Sequence, residues 1–109
     1  MTFSFVDNQL TPLDGIYKTV IVGKKDVPIT SIMEWNGKCV IAKPDGLFLW
    51  EDGWIMVLQE FSAKSVKLFR KRKDSFCFCV NRKMFRFTQK EHGLILRRIE
   101  PKALKKYLN

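Results

Sequence analysis

The sequence predicts an all-β protein, a small antiparallel meander of about nine short strands curled into a barrel or a two-sheet sandwich, with a short helix at the C-terminus. Two observations carry this. Short runs rich in β-branched and aromatic residues recur roughly every ten residues along the 109-residue chain, and Gly, Pro, Asn and Asp cluster between them.

Taken in order, a loose lead over residues 1–12 ends at Thr11-Pro12-Leu13-Asp14-Gly15, and residues 16–22 read as a first strand closed by Gly23. Residues 29–35 and Lys38–Lys43 flank Asn36-Gly37, the strongest short hairpin signal, so they pair antiparallel. Pro44-Asp45-Gly46 and Glu51-Asp52-Gly53 bracket a strand over 47–50 and lead into another over 54–61. Residues 54–58 are apolar at both parities, which predicts cover on two sides, in a closed barrel or under an oligomer partner. Residues 64–70 alternate, with Val66 and Leu68 on one face and Lys67 and Phe69 on the other. Ser75–Val80 and 84–88 form a hairpin about Asn81-Arg82-Lys83, and Glu91-His92-Gly93 turns the chain into 94–99. Glu100-Pro101 opens the helix, where Leu104, Tyr107 and Leu108 fall at spacings of three and four. Leu13-Asp14-Gly15-Ile16-Tyr17 resembles the opening of lipocalin-like barrels over five residues, without that opening's tryptophan, and no residue role follows from it.

The length suits a single domain over 1–109, and neither repeat nor linker interrupts it. The N-terminus has no basic region followed by an apolar stretch, and no apolar run approaches the ~18 residues of a membrane span. The expectation is an unexported protein off the membrane, cytoplasmic, or nuclear in a eukaryote. Three cysteines, an odd number, agree with a reducing compartment.

Charge divides the chain. Residues 1–60 hold five Lys/Arg against eight Asp/Glu, and residues 61–109 hold fifteen against three, so the halves carry −3 and +12 of the net +9. A concentrated cationic field attracts polyanions, and nucleic acid is the partner expected of the basic half 61–109. Arg70-Lys71-Arg72-Lys73 lies between two strands and should protrude as a hairpin tip able to clamp phosphates. Lys67, Arg82, Lys83, Arg86 and Arg97 would extend the patch if their strands adjoin. Aromatic rings beside such charges can stack bases. Phe76, Phe78, Phe85 and Phe87 keep the parity of a core face, whereas Phe69 falls opposite Val66 and Leu68 and is the candidate stacking platform.

A catalytic or metal constellation does not emerge. Cys77 and Cys79 share a strand face, and Cys39 and His92 would have to join them to give zinc four ligands. Asp45, Glu51 and Asp52 read as turn residues, and Gly23-Lys24-Lys25 lacks the first glycine and the hydroxyl of a phosphate loop. No metal or cofactor is expected. The reading is a non-enzymatic domain that binds nucleic-acid phosphates with low sequence specificity. Its alternative is a protein-interaction module, a small adaptor or inhibitor, that lays its basic face on an acidic protein partner. Trp35, Trp50 and Trp54 would be the anchors, and a homo-oligomer is also compatible with the polarised charge.

Overall fold

A computed structural model of the chain describes residues 2–100. Among these residues eleven strands make three antiparallel sheets. In the N-terminal sheet, β1 (Phe3–Val6), β2 (Gln9–Pro12) and β3 (Val20–Ile21) lie in the order β1-β2-β3. The central sheet is the meander β4 (Ser31–Trp35), β5 (Lys38–Lys43), β6 (Gly46–Glu51) and β7 (Trp54–Glu60). The basic sheet is the meander β8 (Val66–Lys71), β9 (Ser75–Val80), β10 (Lys83–Lys90) and β11 (Gly93–Arg98).

Hairpin turns set the registers. Asn36-Gly37, Asp52-Gly53 and Asn81-Arg82 all have positive φ, the geometry that matches a two-residue turn to the twist of its flanking strands. Asn81-Arg82 lacks a glycine, so Arg82 holds φ +70° at some steric cost. The Asn81 side chain supports that turn by accepting from the backbone N–H groups of Lys64 and Ser65, at 2.9 and 3.2 Å.

Because side chains alternate across a strand, the central sheet builds two cores at once. Val40, Ala42, Leu47 and Leu49 face the basic sheet and pack with Trp35, Val66, Phe76, Phe78 and Phe87. Cys39, Ile41, Phe48 and Trp50 face the other way, onto Phe3, Leu10, Val22 and Ile29. Register agrees with parity: Val40 pairs Leu49 and Ala42 pairs Leu47, while Cys39 pairs Trp50 and Ile41 pairs Phe48. The aromatic core of the basic sheet is tightly stacked, with Phe78 lying against Phe85 and Phe87 at centroid distances of 5.4 and 5.5 Å.

The antiparallel meanders and the paired hairpins agree with the sequence reading, and several details do not. Among the described residues no sheet closes into a barrel, and three sheets stack where one barrel or two sheets were expected. The lead over 1–12 is not loose, since Phe3–Val6 and Gln9–Pro12 form a hairpin whose alternating Phe3 and Leu10 are buried. The strand expected over 16–22 shrinks to Val20–Ile21, and Ile16 remains exposed while Tyr17, Val20 and Val22 turn inward. The doubly covered strands are β5 and β6, not the doubly apolar β7. β7 is the sheet's edge, with the third layer lying over its neighbours. The helix expected beyond Glu100 falls outside the described residues, among which no helix is long and apolar enough to cross a membrane.

One charge is buried in this frame. Lys43 is wholly covered, and its ammonium donates to the carbonyls of Val22 and of Lys24, the latter at 2.9 Å, with the Asp45 carboxylate at 3.5 Å. Asp45 also accepts from the backbone N–H of Lys24 at 3.1 Å, so this cluster ties the N-terminal segment to the β5–β6 turn. Gly23 makes room for it, since a Cβ there would meet Lys43 Nζ at 2.7 Å and Phe48 at 2.8 Å.

Candidate nucleic-acid interface and its neighbouring surfaces

β8 is the outer strand of the basic sheet, hydrogen-bonded to β9 alone among the described strands. A bulge between Leu68 and Lys71 sets Phe69 and Arg70 opposite Cys77, which bends the edge and turns the following residues outward. Lys67, Arg70, Lys71, Arg72 and Lys73 are all exposed along this edge and its tip, a run of roughly 20 Å at strand rise.

The tip does not stand free. Trp35 Nε1 donates to the Arg72 carbonyl at 2.7 Å, the Asn36 side-chain amide donates to the Lys73 carbonyl, and Lys71 donates to the Glu34 carbonyl. Arg72 N–H closes the turn on the Ser75 carbonyl at 2.7 Å. The backbone at Arg72 and Lys73 is thus fixed by the β4–β5 hairpin, through bonds that leave the side chains of these two residues unused.

The remaining candidates divide into two places. Arg86 and Arg97 are direct cross-strand partners on the outer face of the basic sheet, and Lys67 is on the same face, two strands from Arg86's strand across Cys79. Arg82 and Lys83 are at the opposite end of the sheet, a six-residue strand or about 20 Å from the tip and at the end where Lys67 begins the edge. Phe69 is on the outer face as its parity predicts, but it is half-buried against Cys77, Met84 and Ile99. Its ring is therefore packed rather than free-standing.

Two of the three tryptophans named as anchors are interior. Trp35 lies in the core at 5.0 Å from Phe76, edge to face. Trp50 is wholly buried between Phe3 and Tyr17, each at 5.0 Å, because the N-terminal sheet covers the face that the sequence left open. Trp54 is 79 % exposed, with Met56 at 53 % and Val57 at 51 % beside it on β7. The exposure of Trp54 agrees with its expected availability as an anchor, whereas cover of 54–58 inside a closed barrel is not seen.

Two of the three thiols, Cys39 and Cys77, are buried. Burial pushes Cys39 up to about 12, and burial also raises Cys77 against the opposing pull of Arg86, Arg72 and Arg70. Both act as small apolar side chains, with little thiolate near neutral pH. Among the described residues no three His, Cys, Asp or Glu side chains gather as metal ligands. Comparison of the chain with protein-family models, curated proteins and solved structures finds no match.

Proposed function

We propose that the protein is a non-enzymatic binding domain whose β8 edge and tip contact nucleic-acid phosphates with little sequence specificity. The observation that supports this reading is the linear set Lys67, Arg70, Lys71, Arg72 and Lys73, exposed on one edge above a backbone held by Trp35 and Asn36. Phosphates follow one another along a strand at spacings a β-edge can track, and a fixed backbone loses less entropy when its side chains engage. Arg86 and Arg97 on the adjoining face add to the same field. Base stacking plays little part, because Phe69 is packed into its own sheet. Three free cysteines suit a reducing compartment, cytoplasm or nucleus.

Titrating unrelated single- and double-stranded oligonucleotides at several salt concentrations tests this reading. Neutralising about five phosphates gives a slope of log affinity against log salt of roughly −4. Binding that ignores salt, or none at low ionic strength, overturns it. Replacing Arg72 and Lys73 with glutamate should weaken all sequences alike. A protein partner is the second reading, favoured by the exposure of Trp54.

A further inference from the structure

We infer that β7 of one molecule is a docking edge for the basic edge β8 of a second copy, joining molecules head to tail by strand addition. β7 pairs with β6 on one side, and among the described residues nothing pairs with its other row of backbone N–H and C=O groups. Residues 54–58 contain neither charge nor proline, the usual guards of such an edge. Its exposed side chains also point both ways. Met56 pairs with Leu49 and shares that residue's side, toward the basic sheet, while Val57 pairs with Phe48 and faces the N-terminal sheet. A partner laid on one face would cover only one of them. A strand added along the edge covers both.

Charge selects the strand. Residues 44–63 carry Asp45, Glu51, Asp52 and Glu60 and no Lys or Arg. Asp45 is offset by Lys43 and Glu51 by Lys38, at 3.5 Å each. Asp52 and Glu60, at the two ends of β7, have no described cation within 4.0 Å. Pairing β7 with β7 would bring like charge to like charge. β8, Val-Lys-Leu-Phe-Arg-Lys, carries three basic residues and no acidic one and is the opposite kind of edge. It also lies on the other side of the molecule, since β8 packs beside β4 and β7 is at the far end of that sheet. An edge that fits a different edge makes a heterologous contact, which propagates instead of closing on itself.

Sedimentation velocity on the full chain tests this without nucleic acid. At about 50 mM salt the sedimentation coefficient should climb with protein concentration, and at about 500 mM it should fall back toward the monomer value as screening shortens. Val57→Lys spoils one edge and the double change K67E/K71E spoils the other, so each variant alone should stay monomeric. Mixed, the two should form a capped one-to-one dimer through the edges left intact, at least tenfold more of it than in either variant alone. Far-ultraviolet circular dichroism confirms that both variants fold. If K67E/K71E self-associates like the parent, or the mixture stays monomeric, or the parent is monomeric at low salt, the inference is overturned. Salt-dependent oligonucleotide binding by a strictly monomeric parent would leave the phosphate reading standing while this one fails.

Discussion

Individual side chains in this protein are sorted by layer more than by type, and the phenylalanines and tryptophans illustrate it. Phe78 sits between Phe85 and Phe87 in the larger core, whereas Phe69, on the neighbouring strand, lies half-covered on the outer face. Phe78→Ala is therefore expected to lower unfolding free energy by roughly 3–5 kcal/mol and Phe69→Ala by about 1–2, read from urea midpoints. Trp50→Ala should resemble Phe78→Ala, and Trp54→Ala should stay within about 0.5 kcal/mol because its ring is already in water. Equal losses at Trp50 and Trp54 would contradict the layering. Lys43 gives a pH-dependent counterpart. Burial holds its ammonium below the ordinary 10.5, against the opposing pull of Asp45. The unfolded chain then binds more protons than the folded one between the two values, so stability rises as pH climbs through that window toward about 10.5. Subtracting the profile of Lys43→Met isolates the effect. At neutral pH that variant should lose about 2–3 kcal/mol, since Asp45 is left without its cation and two carbonyls without their donor.

At the scale of elements, the hairpins were legible because their turns are written in single dipeptides. Asn36-Gly37 fixed both flanking strands, and Lys38–Lys43 and Ser75–Val80 have the limits their patterns predict. What periodicity could not carry was which sheet face meets which. β7 and β6 are both apolar at both parities, yet only β6 lies beneath the N-terminal hairpin. That hairpin has four-residue strands, too short to show a period around its Asp7-Asn8 turn, so the third layer stayed invisible and Trp50 looked reachable. The candidate site was half legible for a similar reason. A basic run shows in sequence, but the bonds from Trp35 and Asn36 that hold its backbone span 37 residues. These bonds have a measurable role. Asn36→Gly keeps the positive φ of the turn and deletes the amide donor to Lys73, and Trp35→Phe deletes the indole donor to Arg72. Each should weaken oligonucleotide affinity several-fold, because ordering the tip then falls to the binding step. The salt slope should not change, because the number of cations is the same. A change in slope would mean that the charges themselves had moved off the phosphates.

At the scale of the whole molecule, the central sheet has no face of its own to spare. β5 and β6 contribute alternate residues to two cores, so neither core can open without exposing apolar side chains of the strands that build the other. The N-terminal sheet is too small to hold together alone, with a two-residue β3 and only part of a hydrophobic face. Three layers should consequently unfold as one. The buried tryptophans report the two interfaces separately: Trp35 packs on Phe76 between the central and basic sheets, and Trp50 on Phe3 and Tyr17 beneath the N-terminal sheet. With Trp54→Phe as a silent background, variants that keep only Trp35 or only Trp50 should each show a single fluorescence transition. Normalised to its own stability by circular dichroism, the fluorescence and backbone midpoints should coincide in both. An earlier fluorescence midpoint for Trp50 would instead mean that the N-terminal sheet peels away first. The central sheet would then be left with the face of Cys39, Ile41 and Phe48 open to water, a large apolar surface that should be visible as dye binding between the two transitions.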